Sequence, residues 1–268
     1  MPVPKSIATT DIRGEMILLG TGTSVGVPAI GCGCEVCTSK NPRNQRLRAS
    51  AILGLPEGNL LVDTSPDLRM QLLREKIGLV HSVIYTHEHA DHVFGLDDLR
   101  LMQFYLNGPV PLYCEELVER RIRQSFDYAF SKDESPSLVP QLEFHRIGLE
   151  PVEVLGTKVT PLRLHHGQAF EVLGLRFGNI AYCTDVNRIP PASMELLQGL
   201  DVLILDALRK TPSKTHFTID QAVEVATELG ARQTYFTHVA HELEYEATNA
   251  TLPAGMELAY DGLRIPLS

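Results

Sequence analysis

The segment THEHADH, residues 86–92, constrains the fold and chemistry of this chain more than any other feature. It directly follows the apolar stretch SVIY, and it contains four side chains that commonly bind metals: His87, His89, Asp91 and His92. Imidazole and carboxylate groups suit zinc, manganese or iron ions. Four donors on one tight turn can serve two adjacent ions, because neighbouring side chains in a turn point in different directions. The alternative is a His-rich turn on the solvent-exposed surface, and the rest of the chain argues against it.

Further donors end apolar, β-prone segments in the same way: His166 in TPLRLHH, Asp185 in IAYCTD and His238 in QTYFTH. Side chains alternate between the two faces of a strand, so His166 shares a face with Leu162 and Leu164, which we expect to face the core. His165 lies on the other face, and we expect it to be structural. A carboxylate such as Asp185 is able to bridge two ions. Together with THEHADH, these positions predict a site for two metal ions.

The order of predicted elements indicates the fold class. The apolar segments EMILLG, ASAILGL and NLLVDTS predict strands near the start, and βα units close the chain. We expect helices over SPDLRMQLLREKIG, with Ser65 as N-cap, over FGLDDLRLMQFYL, over ELVERRIRQSFDYAF, and over TIDQAVEVATELG, with Thr218 as N-cap. This order predicts an α/β (α+β) fold in which two sheets pack face to face with helices outside, a four-layer αββα arrangement.

The length suits one large domain or two small ones, and the composition is that of an ordinary soluble globular protein. The 268 residues are 44% hydrophobic and 21% charged, so a large core can form without disulfide bonds. We expect residues 1–14 to be an N-terminal extension, residues 15–268 to form a single domain, and the polar stretch SKDESPSLVPQ to be a surface loop. The net charge of −9 argues against a broad basic surface. Nucleic-acid binding depends on Lys and Arg, so we expect no stable nucleic-acid complex.

The chain shows no apolar run of the length that crosses a membrane, and its start, MPVPKSIATTDIRGE, lacks the hydrophobic stretch of a signal peptide. We therefore expect a cytoplasmic protein without a membrane partner, whose cysteines stay reduced. Cys114 and Cys183 end apolar segments, and we expect them to be buried thiols that pack as small apolar groups.

The other three cysteines lie together in GCGCEVC as Cys32, Cys34 and Cys37. A disulfide is disfavoured by the reducing compartment and by the poor geometry of a pair two residues apart. Close-spaced cysteines in the cytoplasm are typical of a metal site, and structural zinc requires a fourth ligand. His241 is the remaining candidate, because it lies three residues after His238. The sequence thus favours a Cys₃His zinc site, with a loop of free thiols as the alternative.

The seven strand-end and THEHADH positions resemble the metallo-β-lactamase superfamily. The resemblance implies that one metal is held by His87, His89 and His166. It implies a second metal held by Asp91, His92 and His238, with Asp185 bridging the two. Asp63, which ends NLLVD, matches a superfamily aspartate that supports the ligands through hydrogen bonds. The lactamases themselves typically carry a cysteine where this chain has Asp185, so the phosphodiesterase-like branches are the better match.

The segment KTHFTIDQA resembles the histidine segment of the phosphodiesterase branch, including tRNase Z, and it contains His216. Two adjacent ions can bind a phosphoryl oxygen and hold a hydroxide for in-line attack. An imidazole nearby can then protonate the leaving alkoxide as a general acid. We place His216, Asp91 and Asp185 in catalytic roles, while an exposed loop histidine is the alternative for His216. Three nearby basic residues can also bind phosphate, although ordinary surface charge is the simpler interpretation: Arg209, Lys210 and Lys214.

The segments GTGTSVGVPAIGCGCEVC, YTHEHADHVFGLDDLR and FTHVAHE are similar to the PhnP-type phosphodiesterases, which act on 5-phosphoribosyl 1,2-cyclic phosphate. The resemblance runs from about Met16 to the C-terminus. It implies two catalytic divalent ions, manganese or zinc, one structural zinc, and a small phosphodiester substrate. Family members often dimerise, so a homodimer is also an expectation.

Other functions on the same fold remain open at this stage. A tRNase Z-like RNA phosphodiesterase would need a flexible arm rich in Gly, Pro and basic residues, and the sequence shows none. A hydrolase of another ester, such as a thioesterase or lactonase, would use the same metals. A non-catalytic metal-binding or sensor protein is disfavoured by the complete ligand set and by His216.

Overall fold

Two seven-stranded sheets of matching organisation form the centre of the molecule. The structure is a computed structural model, and it describes residues 6–131 and 138–267. Within these ranges the strands are, in chain order, β1 (Glu15–Gly20), β2 (Ser50–Leu55), β3 (Gly58–Val62), β4 (Ser82–Ile84), β5 (Val110–Cys114), β6 (Leu142–Arg146), β7 (Val152–Val154), β8 (Thr157–His166), β9 (Phe170–Phe177), β10 (Ile180–Cys183), β11 (Val202–Asp206), β12 (Gln233–Thr237), β13 (Met256–Leu258) and β14 (Leu263–Pro266).

Each sheet is antiparallel in one half and parallel in the other. The first sheet has the order β14-β1-β2-β3-β4-β5-β6, and the pairs from β3 to β6 are parallel. The second has the order β13-β12-β11-β10-β9-β8-β7, and the pairs from β10 to β13 are parallel. Parallel strands end at the same edge of their sheet, which is where α/β proteins generally place their functional groups.

The helices lie mostly on the parallel connections. They are α1 (Leu68–Glu75), α2 (Ala90–Val93), α3 (Met102–Leu106), α4 (Glu116–Ser125), α5 (Pro191–Leu196), α6 (Ile219–Leu229) and α7 (Tyr245–Asn249). Short 3₁₀ turns add Pro42–Asn44, Leu96–Leu101 and Asp127–Ala129. Within the two described ranges, no helix is both long and apolar enough to cross a membrane.

Three buried apolar clusters explain the layering. Along β1, Met16 and Leu18 belong to the cluster shared by the two sheets, whereas Ile17 and Leu19 belong to the cluster that packs against α1 to α4. The outer face of the second sheet packs in the same manner on α5 and α6. This alternation produces four layers in the order αββα, which confirms the fold class predicted from the sequence.

The start of α1 differs from the prediction. The helix begins at Leu68, and Ser65 does not cap it. The Ser65 hydroxyl instead accepts a hydrogen bond from the Asp67 backbone N–H at 3.1 Å and donates to Gln71 Oε1 at 3.1 Å. It therefore stabilises the turn before the helix. The predicted cap of α6 is confirmed, because Thr218 and Gln221 form a reciprocal pair of hydrogen bonds at the helix start.

Two further helices are shorter than the sequence pattern indicated. The segment FGLDDLRLMQFYL forms a 3₁₀ turn followed by α3, and α4 ends at Ser125 rather than continuing through residue 130. Most of the stretch SKDESPSLVPQ lies outside the described residues. The division into residues 1–14 and 15–268 stays a prediction. Within the shorter segment, Ile12 is buried against the first sheet.

Candidate metal centre and active site

Three strand ends deliver acidic or imidazole side chains to one edge of the sandwich. Asp63 directly follows β3, and His238 directly follows β12. Asp185 lies just beyond β10, separated from the end of the strand by Thr184. All three are buried and have positive φ angles, at 61°, 56° and 58° respectively. A non-glycine residue in this region costs about 1 kcal/mol or more, and such conformations concentrate at functional sites. The backbone thus turns sharply at each strand end and directs these side chains into the site.

The motif THEHADH spans the loop after β4 and the first turn of α2. His89 is the residue immediately before α2, and Asp91 and His92 lie within its first turn. The imidazole rings of His87 and His89 lie 4.6 Å apart between centroids. The short helix therefore allows four nearby residues to present side chains to one place.

The candidate ligands form two groups, and within each group all the donor atoms lie within 4.8 Å of one another. The first group is His87, His89 and His166; the second is Asp91, His92, Asp185 and His238. Asp185 lies between them. Its Oδ1 is 3.9 Å from His166 Nε2 and 3.4 Å from His238 Nε2, and its Oδ2 is 3.2 Å from His92 Nε2. The structure thus brings together all seven side chains, with one carboxylate positioned between the two groups.

Hydrogen bonds at Nδ1 fix the orientation of three of these histidines. His92 donates to Asp63 Oδ2 at 2.7 Å, and His166 donates to the Thr215 carbonyl at 2.8 Å. His87 Nδ1 lies 3.0 Å from the Thr86 hydroxyl. In each case the other ring nitrogen, Nε2, faces the cluster. The Nε2 of His87 is buried and has no hydrogen-bond partner among the described residues. This arrangement is typical of metal-ligating histidines, whose other nitrogen is held by a hydrogen bond.

Asp63 supports the THEHADH motif through hydrogen bonds. Its side chain is buried, its Oδ1 accepts the Thr86 backbone N–H at 2.8 Å, and its Oδ2 accepts the Thr86 hydroxyl at 2.8 Å. Burial raises the pKa of Asp63, and the hydrogen bonds from His92 and Thr86 oppose that rise. Burial also lowers the pKa of His87 well below its usual value, which favours the neutral imidazole that a metal ion requires.

His216 lies against the same cluster. Its ring stacks on His238 at 4.7 Å between centroids and contacts His166 edge-to-face at 4.7 Å. Its Nδ1 donates to Asp206 Oδ2 at 2.7 Å. Burial alone would lower the pKa of His216, but the Asp206 carboxylate, together with Asp185 and Asp91, outweighs burial and raises that pKa to about 9.

Asp206 is a residue of the site that the sequence reasoning missed. It ends β11, it is buried, and its Oδ2 also accepts the Val186 backbone N–H at 3.3 Å. A polar residue at the end of the apolar segment DVLIL carries the same signal that identified Asp185 and His238. Asn187 was missed as well, and its side chain links the loop after β8 to the loop before His216.

The cysteine loop packs beside this centre. The Sγ atoms of Cys32, Cys34 and Cys37 lie 3.3, 3.3 and 3.5 Å from His241 Nδ1. Hydrogen bonding from the Cys37 backbone N–H, and then from His241, lowers the pKa of Cys34 to about 6. A thiol with a lowered pKa readily becomes the thiolate that binds zinc. The structure thus brings the four predicted residues into one cluster.

The remaining predicted residues have structural surroundings. Cys114 and Cys183 are buried, and His165 faces away from the cluster, with Nδ1 4.0 Å from a Glu171 carboxylate oxygen. Arg209 donates hydrogen bonds to the carbonyls of residues 211 and 212 and lies 3.9 Å from Glu242. These contacts hold Arg209 against its own loop and against Glu242.

Comparison with known proteins decides the family. Residues 58–239 match the model of the β-lactamase superfamily domain. The chain belongs to this superfamily. It has the metallo-β-lactamase fold. A crystal structure described as a new diphosphatase from the PhnP family is 46% identical and has a TM-score of 0.89, with 96% of this chain and 98% of that chain covered. That likeness confirms the resemblance to the PhnP-type branch.

Two other proteins broaden the comparison. Zinc-bound PqqB from Methylobacterium extorquens has a TM-score of 0.74 at 21% identity, over 94% of this chain and all of that one, and this likeness concerns the fold alone. A Porphyromonas gingivalis protein named octanoyltransferase is 35% identical over 251 residues, which are 92% of this chain and 50% of that protein. The chain thus spans about half the length, or less, of the curated relatives it matches.

Proposed function

We propose that the chain hydrolyses a phosphodiester or diphosphate bond in a small substrate. The observation that carries the proposal is the convergence of seven imidazole and carboxylate side chains on one edge, with Asp185 between the two groups. The 46% identity to the protein described as a PhnP-family diphosphatase supports phosphate chemistry over other uses of the fold. A small cyclic phosphate such as 5-phosphoribosyl 1,2-cyclic phosphate is the substrate that the sequence resemblance favours.

The donor set fits two divalent ions. His87, His89 and His166 would hold one, and a second group would hold the other: Asp91, His92 and His238, with Asp185 shared. Mixed imidazole and carboxylate donors suit manganese or zinc. Such ions would polarise a phosphoryl oxygen and lower the pKa of a bound water to about 7. The buried Nε2 atoms of His87 and His238, which have no hydrogen-bond partner among the described residues, support metal ligation at these positions.

His216 would act as the general acid. Asp206 accepts its Nδ1–H, so the imidazolium form carries a second proton on Nε2 that it can give to a leaving oxygen. The raised pKa keeps that proton in place at neutral pH. The contacts of the His216 ring with His166 and His238 place this proton donor beside the candidate ligands.

The cysteine cluster would hold a structural zinc ion. Three thiolates and one imidazole form a closed ligand set, which is typical of structural rather than catalytic zinc. Because His241 follows His238 by three residues, the ion would tie residues 32–37 to the segment that carries a candidate catalytic ligand. We propose that its role is to hold this loop beside the active site.

Hydrolysis of an acyl ester or thioester is the second candidate. The relative named octanoyltransferase favours it, although this chain covers only half of that protein. A tRNase Z-like activity on RNA is disfavoured by the net charge of −9.

We also propose that the partner of the chain is a small molecule and that the chain forms a homodimer in the cytoplasm. We propose no stable nucleic-acid complex and no membrane partner.

A turnover screen separates these candidates. Manganese-loaded protein is incubated with 5-phosphoribosyl 1,2-cyclic phosphate, bis(4-nitrophenyl) phosphate, a 2′,3′-cyclic nucleotide, a dinucleoside diphosphate, an octanoyl thioester and a lactone. The proposal predicts turnover of the phosphate compounds. Turnover confined to the thioester or the lactone would replace it with the second candidate.

A further inference from the structure

A cavity of about 510 Å³ lies beside the candidate metal ligands. It is lined by His166 at the end of β8, by the turn that follows, and by the loop before His216. Its volume is in the range of small-molecule binding sites. Since His166 belongs to both the cavity wall and the candidate metal centre, a bound molecule would place one end at the metals and the rest in the cavity.

Phe170 provides an aromatic face within this cavity. Its side chain is 47% exposed although it begins a strand, and it belongs to none of the buried apolar clusters of the described residues. Its ring lies 5.4 Å from that of His89 and 6.4 Å from that of His166 between centroids. Core packing therefore does not explain Phe170, whereas contact with a bound ring would.

The walls of the cavity are held in fixed positions. Asn187 accepts the Gly167 backbone N–H at 2.8 Å and donates to the Lys214 carbonyl at 2.8 Å, so one side chain ties the two lining loops together. Gly167 has a φ of +87°, and a Cβ there would lie 3.0 Å from Thr215 Cγ2. The loops thus approach closely, and the cavity between them is built before any ligand binds.

Apart from Phe170 and Ala169, the cavity is lined mainly by polar residues, including Gln168, Ser213 and Lys214. Within residues 6–131 and 138–267, no carboxylate forms an ion pair with Lys214. An aromatic platform among polar groups and an unpaired cation suits a polar, anionic ligand that contains a flat ring.

We propose that this cavity binds the nucleoside part of a nucleotide substrate, with the base stacked on Phe170 and the phosphate directed to the metal centre. The inference rests on the proposed function and names the substrate class of the same site. Stacking of a base on an aromatic side chain changes affinity by about 5-fold to 150-fold when the side chain is replaced by alanine. Phe170 would therefore act on binding, through the base, rather than on the reacting atoms.

The test compares two phosphates that differ by a base. AMP and ribose 5-phosphate are titrated calorimetrically into the metal-loaded protein, and the ratio of their dissociation constants is the readout. We expect AMP to bind at least about 10-fold more tightly to the native protein. In Phe170→Ala the ratio should fall to about 1, whereas Phe170→Trp should preserve it. Phe104→Ala is the matched control, because Phe104 is 39% exposed and does not line the cavity.

A ratio near 1 in the native protein, or a ratio unchanged in Phe170→Ala, would overturn the inference. Octanoate that binds the native protein and is lost in Phe170→Ala would show that the cavity takes an acyl chain instead. Turnover of bis(4-nitrophenyl) phosphate is measured in parallel. If that turnover is present while the ratio is 1, only the nucleoside inference fails. If no phosphate compound is hydrolysed, the proposed function fails.

Discussion

Replacing Asp206 by Asn tests how the structure sets the state of His216. The substitution keeps the size of the side chain and an oxygen that can accept from His216 Nδ1, but it removes the negative charge 2.7 Å away. Without that charge the pKa of His216 should fall from about 9 toward its ordinary value of about 6.5. At pH 8 the protonated fraction would then fall from about 0.9 to about 0.03, and at pH 6 it would fall only from about 1 to about 0.8.

We therefore expect kcat/KM of Asp206→Asn to drop about 30-fold at pH 8 and less than about twofold at pH 6. The direction follows from the sign of the shift. Asp206 raises the pKa, so its loss moves the decline of activity to lower pH. The assay is a pH profile from 6 to 9 with a substrate whose leaving group is an alkoxide, such as a 2′,3′-cyclic nucleotide. Hydrolysis of bis(4-nitrophenyl) phosphate should change little, because nitrophenolate leaves without a proton.

Asp201→Asn is the matched control for this experiment. Asp201 lies directly before β11, at the opposite end of the strand that Asp206 ends, and its nearest basic partner is Arg232 at 3.4 Å. Its pH profile should match that of the native protein. A uniform loss across the pH range in Asp206→Asn, or an equal loss with both substrates, would refute the general-acid reasoning and leave Asp206 a purely structural role.

Three further substitutions test separate parts of the site. His216→Ala should keep the metal content of the native protein and lower turnover of an alkoxide-leaving substrate by about 10²-fold to 10⁴-fold; unchanged turnover would remove His216 from the reaction. Cys34→Ser should lose about one metal ion per chain in elemental analysis while the catalytic pair is retained, and Cys114→Ala should lose none. Asn187→Ala should lower the free energy of unfolding by about 1–3 kcal/mol in denaturant titrations, because two hydrogen bonds between loops are lost; no change would show that the loops are held otherwise.

Much of the site was predictable because its residues follow one rule. Each strand is a short apolar run, and a polar residue at or just after its end must emerge at the sheet edge, so Asp185 and His238 could be identified without knowledge of the pairing. Asp206 obeys the same rule, but its role depends on His216, which lies ten residues later on a loop. Only the folded chain shows that these two side chains meet.

Other features depended on tertiary contacts that no local pattern records. Ser65 has the residue type and position of an N-cap, yet the Asp67 side chain pairs with Arg48 and the helix starts later. The exposure of Phe170 beside His89 appears only when β8 and β9 are paired. The four layers were predictable, because alternating apolar residues must be buried on both faces of each sheet.

The central claim is that the seven converging side chains form a metal centre that hydrolyses phosphate esters. The most direct test is the rate of bis(4-nitrophenyl) phosphate hydrolysis by chelator-stripped protein as Mn²⁺ is added back. We predict no hydrolysis before Mn²⁺ is added. The rate should then rise and saturate at about two equivalents of Mn²⁺ per chain, and it should not rise in Asp185→Ala. Hydrolysis by the stripped protein, or an equal response to Mn²⁺ in Asp185→Ala, would contradict the account.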